Sequence, residues 1–418
     1  MTKNKYLFPF IMITSLFFMW GFVHNLDPIL IPHLKRSFSL TTLQASLVDS
    51  AVFIAYFVMA LPAGFIMKKY GYKTGIIIGL AFFAIGSFLF IPAANTQLYV
   101  FFLGALFIIA CGLTILETAA NPYASLLGPP ETATFRLNFA QTFNGLAATL
   151  APMVGVRVIL IKGASDEELS KMTESARQLA LASEASSVKT PYLILGSIIL
   201  VIAVIFIFLK LPEITEEEEI KGEKTGILHA LRHKHLSWAV AAQFFYVGAQ
   251  VCVFSFFILY ATKAAGIDQQ TAGDYAGYGM GLAFLLGRVI GTFLMKFIKA
   301  ESLLVIYSLI NVVLCGVAIT AGGTLALVAV IGISFFMSIM FPTIFSLGIK
   351  DLGSDTKLGS SLIIMSIVGG AILPPVMGYI SDVTHNIQIG YIVPLVCFVV
   401  VLLFGLKGHK VIKSVNYE

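Results

Sequence analysis

Apolar runs of roughly 20 residues alternate with short polar breaks along this chain. They cover 7–34, 44–67, 74–94, 98–127, 134–161 and 190–211, then 237–263, 271–298, 302–320, 323–349, 357–381 and 388–407. Runs of that length, coiled as helices, match the hydrocarbon core of a bilayer. The pattern predicts twelve transmembrane helices, numbered here as spans 1 to 12. It fails between the sixth and seventh runs. There "LPEITEEEEIKGEKTGILHALRHKH" (211–235) is charged and poor in aromatics, the composition of a linker. The expected organisation is an N-terminal six-helix half (1–211), a linker (212–236) and a C-terminal six-helix half (237–418).

Composition agrees with this fold class, an all-α polytopic membrane protein. The chain is 58% hydrophobic and 12% charged, outside the range of soluble domains. Its partner surface is the lipid bilayer. The net charge of +5 does not point to nucleic acid, because the basic residues sit in short loops where charge sets topology. With an even number of spans, 18 of the 27 lysines and arginines fall on the side of both termini, eight fall opposite, and Arg288 stays within a span. That bias places both termini in the cytoplasm. The first apolar run is too long for a cleaved signal and reads as a retained helix. Cys111, Cys252, Cys315 and Cys397 lie on different spans and read as core residues. The chain is expected to act as a monomer.

Polar residues inside the spans carry the candidate chemistry. Of the 22 acidic residues only Asp27, Asp49 and Glu117 sit well within apolar runs, with Asp274 and Asp382 at span edges, and an ionisable group at that depth is a functional candidate. Glu117 lies in "GLTILETAANPYASLLG" (112–128) of span 4, placed to load and release a proton or to act as a structural carboxyl. Asn121 is one turn further on the same face. Pro122 removes a backbone donor and frees a carbonyl near residue 118. Asp27, in "WGFVHNLDPIL", is followed by Pro28 and preceded by His24 and Asn25. It reads as a second proton candidate, as an acceptor for a ligand hydroxyl or as a helix-end cap, with His24 and Asn25 candidate ligand contacts. Asp49 lies towards the other end of span 2, where exposure to water accounts for it.

Span 5 spaces Asn138, Gln141 and Asn144 three residues apart in one amide stripe. Amides donate and accept together, which suits a neutral hydroxyl-rich ligand; helix–helix polar contacts are the alternative. The second half differs. Span 7 sets Gln243, Tyr246 and Gln250 on one face with Phe254 and Phe257, and span 10 offers Phe341 where span 4 has Asn121. Hydroxyl-binding amides facing aromatic rings suit a monosaccharide. Arg288, the lone base within a span, reads equally as a counter-ion to an acid or as a snorkelling side chain.

The halves repeat one another. "NPYASLLG" (121–128) parallels "FPTIFSLGIKDLG" (341–353), and "APMVG" (151–155) parallels "PPVMG" (374–378), six spans apart. A further pair is "AGFIMKKYG" after span 2 and "GTFLMKFIK" after span 8. Together with "LETAANP", "FRLNFAQTFN", "YVGAQ", "FPTIFSLGIK" and "SDTKLGSSLIIMSIVGG", the whole chain resembles the fucose–galactose–glucose:proton symporter family of the major facilitator superfamily. The resemblance implies a twelve-helix major facilitator fold and uptake of a neutral monosaccharide with a proton across a bacterial inner membrane. It implies L-fucose or a related hexose, no cofactor beyond the co-transported H+, a protonatable acid at Glu117, and sugar contacts at Gln141 and Asn144. Glucose or galactose, an N-acetylated amino sugar, and sodium coupling stay open as alternatives. The chain departs from the family pattern in placing the span-1 acid one residue early, at Asp27. It also has Phe341 for an aromatic hydroxyl, Leu259 for a base, Asp49 for glutamine and Lys68 for the usual loop aspartate. No Walker loop, G-x-S-x-G or H-E-x-x-H occurs, so neither a nucleotide-driven pump nor a hydrolase is expected.

Overall fold

A computed structural model of the protein describes residues 6–26, 47–96, 98–158, 171–212 and 226–411, with Leu30, Leu34, Ser37, Phe38 and Gln44. The described residues are helical nearly throughout, with no strand among them. Span 1 is Leu7–His24, span 4 Tyr99–Leu126, span 5 Ala133–Val158, span 6 Lys189–Phe208 and span 9 Ala300–Thr320. Spans 2 and 3 are the two arms of Leu47–Thr96, divided at Gly71. Gly71 has φ 80° and ψ 170°, a conformation open to glycine and little else.

The C-terminal spans are more broken. Span 7 comprises Lys234–Ser255 and Phe257–Ala264. Span 8 runs from Gln269 to Leu294 through a π-helical turn at Tyr275–Met280. Span 10 comprises Gly323–Met337 and Met340–Gly348, and span 11 comprises Thr356–Met365 and Gly369–Thr384. Span 12 comprises Ile387–Gly390 and Ile392–Leu403.

Ten described helices are long and apolar enough to cross a membrane. The architecture holds twelve crossings because Ser50–Thr96, at 47 residues, contains two. The other crossing outside that set is Ala133–Val158, whose amide stripe lowers its hydropathy. Span 1 is shorter than its apolar run, closing at His24 with Asn25 as the capping residue. Asp27 and Pro28 lie outside the described residues, as does the side chain of Asp49. The sequence pattern did not anticipate the helix Glu174–Ser186 between spans 5 and 6. Of the linker, 213–225 lie outside the described residues, and Ile227–Ala230 forms a helical turn before span 7.

Small residues let the spans approach closely, as is usual where lipid gives no hydrophobic drive between helices. A Cβ on Gly112 of span 4 would lie 2.6 Å from the Phe83 nitrogen of span 3. Phe90 and Tyr192 stack at 3.7 Å and fix span 3 against span 6. All four cysteines are buried and free.

The halves meet through spans 2, 4 and 5 on one side and spans 8, 10 and 11 on the other. Thr134 and Ser346 share a 2.9 Å hydrogen bond, and Asn138 Nδ2 donates to Thr343 Oγ1 at 3.2 Å. Lys357 Nζ lies 5.3 Å from the Tyr72 ring centre. These contacts gather at the end of the bundle that carries the loops between spans 2 and 3, 4 and 5, and 10 and 11. The bundle is closed there.

Candidate functional site

The site begins with what Pro122 does to span 4. Without an N–H, Pro122 leaves the Thr118 carbonyl lacking its helical donor. An orphaned buried carbonyl costs about 1–3 kcal/mol. Ser360 Oγ, from span 11 in the other half, donates to it at 2.8 Å. The helix break becomes a tie between halves.

On the same stretch, Glu117 Oε1 accepts from Tyr56 Oη of span 2 at 2.6 Å. Asn121 Nδ2 donates to the Glu117 carbonyl at 2.9 Å, and Asn121 Oδ1 accepts from Gln141 Nε2 of span 5 at 3.1 Å. Tyr56, Glu117, Asn121 and Gln141 therefore form one chain of polar groups across spans 2, 4 and 5. Asn121 and Gln141 are buried, while Glu117 and Asn144 keep part of their surface open. Asn144 packs on Gly21 of span 1, where any Cβ would lie 2.7 Å from Asn144 Nδ2. A half-buried carboxyl that meets a tyrosine hydroxyl can hold or release one proton and keep that partner, since a hydroxyl both donates and accepts.

The C-terminal wall differs in chemistry. Gln243 is fully buried, and neither its Oε1 nor its Nε2 has a hydrogen-bond partner among the described residues. Tyr246 Oη is likewise unpartnered, and its ring meets Phe341 edge-on at 6.4 Å. Gln250 and Phe341 are partly open. Unpaired buried amides and hydroxyls are costly unless something else binds them.

Arg288 joins the two walls. It is buried, and its guanidinium carbon lies 4.6 Å from the Phe284 ring centre. Pro342 of span 10, like Pro122 of span 4, frees the carbonyl four residues back, here that of Ser338. Arg288 Nε donates to that carbonyl at 2.8 Å. Its Nη1 donates at 2.8 Å to the carbonyl of Gln141 in the opposite half. Neither expectation for Arg288 describes this geometry: it is buried rather than snorkelling, and among the described residues it pairs with carbonyls and not with an acid. The planar guanidinium can address two carbonyls at once, which no counter-ion role requires.

The remaining predicted residues fall at the margins. His24 is exposed at the end of span 1 and borders a small pocket lined by Val23, Val52, Leu106, Ile109 and Tyr192, within the N-terminal half. Asn25 folds back, its Nδ2 donating to the Gly21 carbonyl at 2.7 Å. Asn138 serves the closed end. Asp27 lies outside the described residues. The sequence reading missed Tyr56 and Ser360. Tyr56 is one hydroxyl in the apolar run "AVFIAYFVMA", and Ser360 follows from the carbonyl that Pro122 frees, a vacancy that needed some donor.

A bundle of two six-helix halves tied together at one end, with buried polar groups at their junction, has the architecture of a membrane transporter. The family profile of the Major Facilitator Superfamily matches residues 10–362. The chain belongs to this superfamily of transporters, which are not enzymes.

Over 411 residues it is 43% identical to the L-fucose-proton symporter of Escherichia coli, covering 96% of this chain and 93% of that one. It is 40% identical to the glucose/galactose transporter of Brucella abortus over 98% of this chain and 96% of the relative. Among solved structures, FucP, the E. coli fucose:proton symporter, superposes in its outward conformation with a TM-score of 0.90 at 43% identity, over 96% of this chain and 98% of that one. A proton:xylose symporter shares the fold, with a TM-score of 0.71 at 14% identity over 96% of each chain.

Proposed function

We propose that the protein takes up a neutral monosaccharide, L-fucose or a related hexose, together with a proton across a bacterial inner membrane. The observation that carries this reading is the chain Tyr56–Glu117–Asn121–Gln141 set opposite the unpaired Gln243 and Tyr246. The names of the relatives supply the substrate class. In this reading Glu117 carries the proton, with Asp27 as second candidate. The amides of Asn121, Gln141 and Asn144 take sugar hydroxyls. Gln243, Gln250 and Tyr246 complete their coordination, and Phe341 packs on a ring face.

Both termini lie in the cytoplasm, so the closed end is the cytoplasmic end and the structure is the outward-facing form. The transporter works as a monomer in the bilayer and uses no cofactor beyond the co-transported H+. A neutral sugar moves with one positive charge. Across 100 mV that charge is worth about 2.3 kcal/mol, enough for roughly 50-fold accumulation at about 1.4 kcal/mol per tenfold. Coupling requires the sugar to bind the protonated form better, since only differential affinity shifts a two-state equilibrium.

Uptake by proteoliposomes of a panel of L-fucose, glucose, galactose and N-acetylated amino sugars under an imposed pH gradient tests the reading. One monosaccharide should accumulate when the gradient is imposed and equilibrate without it. Accumulation driven by a sodium gradient alone, or movement of none of the sugars, would sink it.

A further inference from the structure

The loop between spans 4 and 5 and its repeat between spans 10 and 11 are held in different ways. Arg136 holds the first, donating from Nη1 to the Pro129 carbonyl at 2.8 Å and from Nε to the Ala124 carbonyl at 3.3 Å. The second is held by imidazoles from the linker and the start of span 7. His235 Nε2 lies 2.8 Å from the Lys350 carbonyl oxygen. His229 Nδ1 lies 2.7 Å, and His233 Nε2 3.3 Å, from the same Asp355 oxygen, Oδ2.

The three ligand-type atoms lie within 4.8 Å of one another. The Asp355 side chain is 2% exposed and those of His229 and His233 are 31% and 32% exposed. The second carboxylate oxygen, Asp355 Oδ1, is buried with no hydrogen-bond partner among the described residues. Two imidazoles crowd one oxygen while the other stays bare. One carboxylate oxygen can accept from two donors, so hydrogen bonding accounts for Oδ2 but leaves the buried Oδ1 unsatisfied.

A divalent metal fits this arrangement better. Two neutral imidazole nitrogens and one carboxylate oxygen form a ligand set for zinc-type cations, with bonds of about 2.0–2.2 Å. Tetrahedral ligands at that radius stand roughly 3.3 Å apart, which the His233–Asp355 separation already matches. The 2.7 Å contact must open by about 0.6 Å, and the two ring nitrogens, which lie within 4.8 Å of each other, must settle at the same spacing; the two partly exposed rings can yield both shifts. The ring positions follow from the local backbone. The turn Ile227–Ala230 and the bend after it turn His229 and His233 to one side, and the 3-10 turn Gly353–Asp355 presents the carboxylate.

We propose that His229, His233 and Asp355 bind one divalent transition cation of the zinc type, with water as fourth ligand, and that the bound ion fastens the linker to the loop between spans 10 and 11.

The test uses the full-length, tag-free protein in detergent, stripped with a chelator and titrated with Zn2+ against a chromophoric competitor. The wild type should take up one tight equivalent. His229→Ala, His233→Ala and Asp355→Asn should each weaken that equivalent at least about tenfold. A wild type that binds no zinc, or binds it no better than the His229→Ala/His233→Ala double variant, would leave only a hydrogen-bonded triad and overturn the proposal. Co2+ added to the wild type gives a readout that needs no variant. A four-coordinate nitrogen/oxygen site should produce strong visible absorption that one equivalent of Zn2+ removes, whereas the weak spectrum of six-coordinate aqueous Co2+ would contradict it.

Discussion

Spans 4 and 10 occupy equivalent places in the two halves and break in the same way, yet they serve different ends. Each carries a proline that frees the carbonyl four residues earlier. In span 4 the freed Thr118 carbonyl is taken by a hydroxyl from the other half, and beside it sit Glu117 and Asn121. In span 10 the freed Ser338 carbonyl is taken by Arg288, which reaches on to Gln141. Phe341 stands where span 4 has its amide. The repeat preserves the backbone fault and changes what fills it. The N-terminal half has gained a titratable group at the fault and the C-terminal half a fixed cation and an aromatic wall. A broken ladder in a membrane is tolerated only where other groups satisfy it, and both faults are satisfied by groups that tie the halves together at the closed end.

The comparison can be broken most forcefully at Arg288. Arg288→Met removes two charge-assisted hydrogen bonds, a loss on the order of 3–6 kcal/mol at about 1.5–3 each. Thermal melting should fall accordingly, and thiol labelling of cysteines placed in the loop between spans 4 and 5 should speed up as the closed end opens. Arg288→Lys should recover less than half of this, because an ammonium cannot span both carbonyls in fork geometry. A substitution costing no more than a surface change would remove Arg288 as the junction of the halves.

The tie at span 4 should be weaker. Ser360→Ala orphans the Thr118 carbonyl and should cost about 1–3 kcal/mol. In a Pro122→Ala background, where residue 122 regains its N–H, the same change should cost markedly less. Melting of the four chains of this double-mutant cycle gives the coupling directly. Simple additivity would mean that the proline and the serine are unrelated.

A smaller effect is expected at Gln243, whose amide is buried without partners. Gln243→Leu should leave melting unchanged or raise it slightly, since an unpaired polar group is replaced by an apolar one of similar size. Sugar affinity should fall about tenfold, or about 1.4 kcal/mol. Lost stability with intact affinity would make the residue a structural one.

Much of this was legible in the sequence, for identifiable reasons. The spans follow from hydropathy, because the bilayer imposes one length on every crossing. The halves follow from repeated motifs at equal spacing. Glu117, Asn121 and Gln141 stand out because polar groups are rare in such runs, and the structure joins them into one network. Partners were harder to read. Tyr56 is one aromatic among many apolar neighbours, and nothing local says that its hydroxyl meets a carboxyl 61 positions away. Arg288 was misread because pairing and snorkelling are the usual fates of a buried base, while its acceptor at Ser338 exists only through Pro342 on another span. The His229–His233–Asp355 cluster was hidden because its histidines lie in a stretch whose composition reads as linker and its carboxylate stands 126 and 122 positions away from them.

The central claim is that coupling belongs to the N-terminal half and resides at Glu117. The most direct test is proteoliposome transport by Glu117→Gln, which keeps a polar side chain beside Tyr56 but cannot release a proton. The account predicts that accumulation driven by a pH gradient is abolished while sugar counterflow, which needs no net proton movement, is retained. Concentration of sugar by Glu117→Gln on a pH gradient would contradict it.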